Sequence, residues 1–398
     1  MTTSFSIAKL PRVEFGEGKL ALLPDLIRQY GNKVLLVTGS SFLDNVNCWQ
    51  ACLQKIEQNK IQWQQLKVSG EPSPQLVDEA VERFSSENFD VVVAVGGGSP
   101  LDAGKAIAGL LKVGHSVMDY LEGVGPELEY NGPAVPFIAV PTTAGTGSEA
   151  TKNAVLSVQD KRNGFKKSFR HDKLVAEYAI IDPLLFSSCP KALIAANGMD
   201  ALTQLIESYV SLNASPFTDA LALSGIEKVV KSLLVWFDTE GEHLSAQADM
   251  AYAAWLSGIT LAQCGLGSVH GLASPMGAFF PIPHGVVCGT LLADATAVNI
   301  KAMEQRQPDN PALAKYARLG KLISANSHCK GEEARAALVS ILRQWCKRLN
   351  LETLDVYGMM EADLDHVVAN ARGSSMKTNP IVLTDEEIKS ILQRRLAS

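Results

Sequence analysis

Several features that mark other protein classes are missing from this sequence. No segment approaches about 18 consecutive apolar residues, so we expect no membrane-spanning helix. Basic residues are not in excess, because the sequence has 36 Lys and Arg and 42 Asp and Glu. The resulting net charge of −6 disfavours nucleic acid as a partner. The opening stretch MTTSFSIAKLPRVEF lacks the apolar core of a signal peptide. We therefore expect a cytoplasmic protein.

Cysteine pairs of the CxxC type are also missing. The seven cysteines are an odd number, and the nearest two, Cys48 and Cys52, have three residues between them. This pattern indicates reduced, mostly buried thiols. What remains is an ordinary globular composition, with 46% hydrophobic and 20% charged residues in a chain of 398, which is long enough for two domains.

The first half of the sequence alternates between strand and helix patterns. Short apolar, β-branched runs occupy residues 33–38, 90–95, 136–140 and 178–182, and the helical stretch SPQLVDEAVERFSS precedes the second of them. Such runs are typical of strands buried on both faces of a parallel sheet. Residues 1–185 are therefore predicted to form a Rossmann-like, doubly wound α/β domain.

Beyond residue 185 the β-branched runs become rare. Ala and Leu recur at helical spacing, as in TDALALSGIEKVVKSLLVWF and EEARAALVSILRQWCKRL. Residues 186–398 are therefore predicted to form an all-helical second domain that packs tightly against the first.

Two glycine-rich turns follow predicted strands. In AVGGGSPLDAGKAIAGLL, Gly97 and Gly98 allow a sharp turn and close approach of a ligand, and Ser99 is predicted to cap the next helix. Free N–H groups at such a terminus favour a phosphate or pyrophosphate. In AVPTTAGTGSEAT, Thr142 and Thr143 supply hydroxyls after another strand. Each turn alone is also compatible with a loop that binds nothing, but ligands of open α/β sheets lie where such strands end.

Four polar side chains in the second half suggest a metal site. Asp200 and Gln204 are four residues apart in NGMDALTQLIES, so a helix places them on one face, with Cβ atoms about 5–6 Å apart. His270 and His284 are fourteen residues apart in GSVHGLASPMGAFFPIPHGVVCG, the first within an apolar helix and the second a turn before the next helix. Together the four groups could close a site across two or three helices. Each histidine taken singly is more often structural, and glutamine is a weak metal ligand.

The motifs resemble those of the iron-containing (group III) alcohol dehydrogenases along nearly the whole chain. VEFGEG, GGGSPLDAGKAIA, PTTAGTGSEAT, IIDP, NGMDALTQLIESYVS and HGLASPMGAFFPIPHG occur in the family's order and spacing. The resemblance implies a nucleotide-binding α/β domain, a helical domain and an active site in the cleft between them. It also implies NAD(P)-dependent interconversion of an alcohol with an aldehyde or ketone by hydride transfer. We also expect a homodimer.

The resemblance implies a metal site with two departures from the family pattern. Asp200, His270 and His284 match metal ligands, whereas Gln204 stands where the family usually has histidine. Ser274 stands where the family commonly has another histidine near the substrate. The ion would act as a Lewis acid on the substrate oxygen. With glutamine as the fourth ligand, Fe²⁺ or Zn²⁺ is expected to bind more loosely than in the usual site.

The resemblance also implies contacts to the cofactor. The nicotinamide nucleotide is expected on the two glycine-rich turns, with Asp102 and Lys166 nearby. Family members that prefer NAD usually place an Asp near the end of the first strand, where this sequence has Gly39 and Ser40. Because no carboxylate there repels a 2′-phosphate, NADP(H) is predicted to be accepted and slightly preferred over NAD(H).

Three alternatives stay open from the sequence. The loss of two histidines is compatible with a metal-independent reductase of the maleylacetate reductase type. A non-redox lyase of the dehydroquinate synthase type shares the fold and uses NAD transiently. A non-catalytic metabolite-binding protein could retain the nucleotide turns. The segment FFPIP suggests an apolar cleft, and no arginine cluster indicates an anionic substrate.

Overall fold

A parallel β-sheet organises the first part of the chain. The computed structural model describes residues 4–39, 46–187 and 189–396. The six strands of this sheet are β1 (Arg12–Phe15), β2 (Lys33–Gly39), β3 (Gln62–Val68), β4 (Val91–Gly96), β5 (Phe137–Pro141) and β8 (Tyr178–Ile181). They lie in the order β1-β8-β5-β4-β2-β3, and every pairing is parallel. A separate antiparallel hairpin consists of β6 (Asn153–Val158) and β7 (Phe165–Arg170).

Helices cover both faces of the sheet, as the alternating pattern predicts. They are α1 (Leu23–Arg28), α2 (Asn47–Gln58), α3 (Pro74–Phe84) and α4 (Gly98–Leu110). The four predicted strands are all present, and every residue of β4 is buried, as expected for a strand covered on both faces. The doubly wound α/β fold is therefore confirmed. β1, β3 and the β6–β7 hairpin were not predicted.

The carboxyl ends of three neighbouring strands meet at one edge of the sheet. Thr38 of β2 pairs with Val95 of β4, and Gly96 of β4 pairs with Pro141 of β5. From β2 the chain crosses to β3 on one side, whereas β4 lies on the other side of β2. The strand order therefore reverses beside the turns that follow these strands, which is where open α/β sheets bind ligands.

The rest of the chain is helical, as predicted. Its helices are α5 (Lys191–Val210), α6 (Pro216–Asp238), α7 (Leu244–Cys264), α8 (Ser268–Phe279), α9 (His284–Arg306), α10 (Pro311–Ile323), α11 (Gly331–Arg348), α12 (Leu364–Asn370), α13 (Ser374–Lys377) and α14 (Asp385–Gln393). By length and composition alone α9 could span a membrane, but 83% of its most apolar window is buried inside the structure, as in a core helix. All seven cysteines are free thiols, and five of them are buried.

One apolar cluster joins the two parts of the chain. It extends from sheet residues such as Val93 to helix residues such as Leu202 and Leu291. The predicted domain boundary between residues 185 and 186 lies in the connection from β8 to α5, and it stays a prediction. The shared cluster means that the sheet and the helices pack directly against each other.

Candidate active site

A buried carboxylate without a hydrogen-bond partner lies at the centre of the candidate site. Asp200 is in the middle of α5 and is 1% exposed, and neither of its carboxylate oxygens has a hydrogen-bond partner among the residues that the structure describes. Its Oδ1 lies 3.3 Å from Nε2 of His270 and 3.8 Å from Nε2 of His284. Burying a charged group without compensation is costly, so an uncompensated carboxylate indicates a site for a cation.

The two histidines come from the starts of two successive helices. His270 is in the first turn of α8, and His284 is the first residue of α9. The prediction that His284 lies a turn before the helix is therefore wrong. Pro283 is the N-cap, and its φ of −59° leads the chain directly into the helix at the next residue. This entry aims the His284 ring at Asp200.

Glu207 fixes the orientation of the His270 ring. Its Oε2 lies 2.6 Å from Nδ1 of His270, and its Oε1 accepts the backbone N–H of Val269 at 2.6 Å. The contact favours a ring proton on Nδ1 and directs Nε2 towards Asp200. Glu207 follows Asp200 by seven residues, and this spacing on one helix face is the signal that sequence reasoning missed.

Cys288 is a fourth donor that sequence reasoning also missed. It is fully buried on α9, one turn after His284. Its Sγ lies 3.5 Å from Nε2 of His270 and 3.7 Å from Nε2 of His284. One donor atom from each of Asp200, His270, His284 and Cys288 lies within 4.8 Å of all the others. The spacing His-x-x-x-Cys on a helix was the available signal.

Gln204 is buried beside this cluster, with another neighbour for its amide oxygen. The Oε1 atom lies 3.1 Å from the hydroxyl of Ser257 on α7, within hydrogen-bond distance. Its predicted role as a metal ligand stays a prediction.

The pKa values of the cluster reflect its buried negative charge. Burial alone would raise the pKa of Asp200, but the rings of His284 and His270 outweigh it and lower this pKa to about 2. Burial lowers the pKa of His284 to about 4. For His270 burial acts in the same direction, yet Cys288, Asp200 and Glu207 raise its pKa well above the ordinary value. Near neutral pH, Asp200 is therefore ionised and His284 is neutral, which is the state that metal ligands require, whereas His270 would release its Nε2 proton when an ion binds.

The first glycine-rich turn begins α4 two residues earlier than predicted. Gly97 is the N-cap and Gly98 is the first helical residue, so the prediction of Ser99 as the cap is wrong. The backbone of Gly97 is still extended, and the chain turns into the helix directly after it. A Cβ atom on Gly97 would lie 3.0 Å from Oγ1 of Thr143, and one on Gly98 would lie 2.9 Å from the methyl group of Thr146. The second turn therefore packs directly on the first.

Lys105 and Asp102 tie the two turns together. Lys105 is 1% exposed, and its ammonium donates to the carbonyl oxygens of Asn153 at 2.7 Å and Ser148 at 2.9 Å. Oδ1 of Asp102 accepts the Ser148 hydroxyl at 2.5 Å, and its Oδ2 accepts the Val155 N–H at 3.2 Å. Asp102 thus contacts protein groups, and its predicted place near the nucleotide stays a prediction. Lys105 was not singled out from the sequence.

The second turn also reaches the helices that carry the candidate metal site. A Cβ on Gly145 would lie 2.8 Å from Cβ of Asn197, less than one turn before Asp200 on α5. A Cβ on Gly147 would lie 2.5 Å from Cα of Gly258 on α7. These close approaches bring the carboxyl edge of the sheet against the cluster around Asp200. The candidate active site therefore lies where the carboxyl edge of the sheet meets α5 and α7.

The structure also describes three further residues predicted to contact the cofactor: Thr142, Gly39 and Lys166. Thr142 is buried, and its N–H donates to the carbonyl oxygen of Gly96 at 3.0 Å. Gly39 ends β2, and Ser40 lies outside the described residues. Lys166 lies on β7 and pairs with Glu71.

Ser274 joins the β6–β7 hairpin to the helix of His270. Its hydroxyl donates to the carbonyl oxygen of Lys166 at 3.0 Å, and it follows His270 by one turn of α8. The side chain at this position therefore supports the wall of the cleft.

Comparisons with known proteins agree with this arrangement. The iron-containing alcohol dehydrogenase family matches residues 11–183, and the C-terminal part of the Fe-containing alcohol dehydrogenase family matches residues 194–396. The chain is 30% identical to the NAD-dependent methanol dehydrogenase of Bacillus methanolicus, across 97% of this chain and 98% of that protein. It is 34% identical to alcohol dehydrogenase 4 of Schizosaccharomyces pombe, across 95% of this chain and 86% of that protein.

A solved structure extends the comparison to the fold. The crystal structure of a 1,3-propanediol oxidoreductase matches with a TM-score of 0.88 and 28% sequence identity, covering 99% of this chain and 100% of that one. The matches run through both the sheet and the helices that form the cleft. With the motif order, the fold and the site in agreement, the chain belongs to the iron-containing alcohol dehydrogenase family and is an oxidoreductase.

Proposed function

We propose that this protein interconverts an alcohol and an aldehyde or ketone with NAD(P) at a divalent metal site. The observation that carries the proposal is the Asp200 carboxylate, which is buried without a hydrogen-bond partner and close to two imidazole nitrogens. The residues present therefore fit a metal ion. Because the same cleft adjoins two glycine-rich turns at the sheet's carboxyl edge, a nucleotide and an ion would meet there.

The protein's own groups prepare this site. Asp200, His270 and His284 would hold the ion, and Glu207 keeps His270 in the tautomer that presents Nε2. When bound, a divalent ion lowers the pKa of an alcohol and polarises a carbonyl in the reverse direction. The apolar residues of α8 and α9 shield Asp200 and His270 from water, which strengthens the electrostatic interaction between them.

The nucleotide is proposed to lie along the first turn of α4. Backbone N–H groups at Gly98 and Ser99 belong to the helix N-terminus, where a pyrophosphate is stabilised. The Thr142 and Thr143 turn packs beside it, and Gly39 ends the adjacent strand. The sequence GSS at positions 39–41 has no carboxylate to repel a 2′-phosphate, and this supports acceptance of NADP(H) with a slight preference for it.

The substrate is proposed to be a small, largely uncharged alcohol or aldehyde. Lys166, the cation proposed to lie near the cofactor, is paired with Glu71, so this pair adds no net charge to the cleft. A homodimer and a cytoplasmic location stay part of the proposal. Light scattering on purified protein would test the dimer.

Metal removal and replacement test the function directly. Purified protein would be stripped with a chelator, reloaded with Fe²⁺ or Zn²⁺, and assayed with a series of alcohols and aldehydes and with both NAD(H) and NADP(H). We expect activity to fall on stripping and to return with an ion. Full activity of the stripped protein, with no gain on reloading, would replace the proposal with a metal-independent reductase.

A further inference from the structure

We propose that Cys288 is the fourth metal ligand, in the role that the family pattern assigns to the position of Gln204. The proposal rests on the metal site described above and adds the identity of its last donor. Its basis is the arrangement of four donor atoms on three helices. The donor set would be one carboxylate oxygen, two imidazole nitrogens and one sulfur.

The donor distances fit tetrahedral coordination. With ligand bonds of about 2.0–2.3 Å, a tetrahedral ion sets N and O donors about 3.3 Å apart and N and S donors about 3.6 Å apart. The N–O distances from Asp200 are 3.3 Å to His270 and 3.8 Å to His284. The N–S distances from Cys288 are 3.5 Å and 3.7 Å to the same two rings. All four agree with one ion at the centre to within about half an ångström.

The helix geometry shows how Cys288 on α9 can provide the fourth donor in place of Gln204 on α5. Asp200 and Gln204 form an i, i+4 pair on α5, and His284 and Cys288 form one on α9. On α5 the second member has its amide oxygen 3.1 Å from the Ser257 hydroxyl. On α9 the second member faces the ring nitrogens of His270 and His284. The neighbouring helix therefore supplies the donor that an i, i+4 pair on α5 would have supplied.

The environment of Cys288 differs from that of two other buried thiols, Cys264 and Cys346. The sulfur of Cys264 lies near the carbonyl oxygens of Thr260 at 3.2 Å and Ser208 at 3.4 Å, and the sulfur of Cys346 faces the Thr290 hydroxyl at 4.0 Å. Cys288 faces two imidazoles and an unpartnered carboxylate instead. On binding, the thiol would release its proton to solvent and ligate as thiolate. Thiolate is a soft donor, so this set favours Zn²⁺ or Co²⁺ over Fe²⁺.

Cobalt provides a test that does not depend on activity. Stripped wild-type protein, Cys288→Ser and the control Cys346→Ser would each be titrated with Co²⁺ and followed by near-ultraviolet absorption, where a thiolate ligand gives a sulfur-to-cobalt charge-transfer band. Cys346 is a matched control because it is buried and faces α9 at Thr290. We expect the wild type and Cys346→Ser to bind one Co²⁺ with the band. Cys288→Ser should lack the band and bind more than about tenfold more weakly.

The outcomes separate this inference from the proposed function. Co²⁺ binding by the wild type without the charge-transfer band overturns the role of Cys288, even if the variant fails to fold, and leaves the metal function intact. If Cys288→Ser binds Co²⁺ with the affinity and absorption spectrum of the wild type, Cys288 is not a ligand and the metal function again stays intact. No Co²⁺ or Zn²⁺ binding by the wild type overturns both proposals.

Discussion

Replacing Lys105 with methionine should destabilise the protein and loosen its nucleotide site. The Lys105 ammonium is fully buried and connects α4 to the segment that follows the second glycine-rich turn. The ammonium donates to the carbonyl oxygens of Ser148 and Asn153. It also donates to the hydroxyl oxygens of Ser148 and Thr151, both at 3.0 Å. Methionine keeps the length and apolar stem of the side chain and removes the charge and its donors. The variant therefore isolates the polar function of this residue.

The loss of unfolding free energy follows from the carboxylate that the substitution leaves without its cation. Asp102, whose side chain is 13% exposed, lies 3.4 Å from the ammonium and would lose its nearest cation. Removing one partner of a buried ion pair costs about 3–5 kcal/mol. The Ser148 hydroxyl and the Val155 N–H still donate to Asp102, so we expect the loss of unfolding free energy at the lower end of that range, about 3 kcal/mol. Because the two turns would shift relative to each other, NADPH should bind about tenfold more weakly, or ~1.4 kcal/mol.

Urea unfolding and NADPH fluorescence titration measure the two effects separately. The control is Lys112→Met, an exposed lysine just beyond the end of α4, which should change the free energy of unfolding by less than about 0.5 kcal/mol. A loss below about 1 kcal/mol in Lys105→Met would refute the argument, since a surface ion pair already contributes that much. Normal NADPH affinity in a destabilised variant would show that the link does not position the nucleotide turn.

Three further predictions concern the ion, the nucleotide and pH. Glu207→Gln should weaken Zn²⁺ binding about 10–100-fold in a chelator competition, because the His270 ring loses its carboxylate; equal affinity would contradict this. Gly39→Asp should shift the ratio of kcat/KM values towards NAD(H), and an unshifted ratio would count against the proposed ribose site.

Burial raises the pKa of Glu149 to about 7, so the wild type should lose about 3 kcal/mol of stability as pH rises from about 4.5 to 7. The folded state binds this proton more tightly than the unfolded state over that range, and Glu149→Gln should abolish this part of the pH dependence in urea unfolding at pH 5 and pH 8. If the unfolding free energies of the variant and the wild type change equally between pH 5 and pH 8, the role of Glu149 in this pH dependence is refuted.

The interior of the sheet could be predicted from the sequence, but its edges could not. β4 and β5 are buried on both sides, so their residues form continuous apolar runs that indicate strands directly. β3, with the sequence QWQQLKV, lies at an edge of the sheet, and polar residues interrupt its apolar ones. β1 is a four-residue strand at the other edge. Such short or polar segments are ordered by pairing with a neighbour, and single-sequence patterns do not report pairing.

The candidate site was predicted in part, because some of its geometry is local and some is not. The helix periodicity places Asp200 on a buried face, and the motif order brings in His270 and His284. The contact between Glu207 and His270 requires the packing of α8 on α5. Cys288 was expected to be buried, which is confirmed, but its direction depends on how α9 begins at His284. Spacing along a helix relates Glu207 to Asp200 and Cys288 to His284, but the relative placement of the helices decided which of these groups meet.

The two positions that depart from the family pattern have different physical consequences. Ser274 has one turn of helix between it and His270, and its hydroxyl holds the hairpin of Lys166 at the cleft wall. Gln204 is within hydrogen-bond distance of Ser257, whose hydroxyl also lies 3.4 Å from the carbonyl oxygen of Gly145 in the second glycine-rich turn. The shortest contact of this hydroxyl is with the carbonyl oxygen of Ala254 at 2.7 Å, so Ser257 places Gln204 beside the turn proposed to hold the nucleotide without a continuous chain of hydrogen bonds. With the proposed donor from Cys288 on α9, the metal site does not require a ligand at position 204, and the Gln204 amide oxygen can stay beside Ser257.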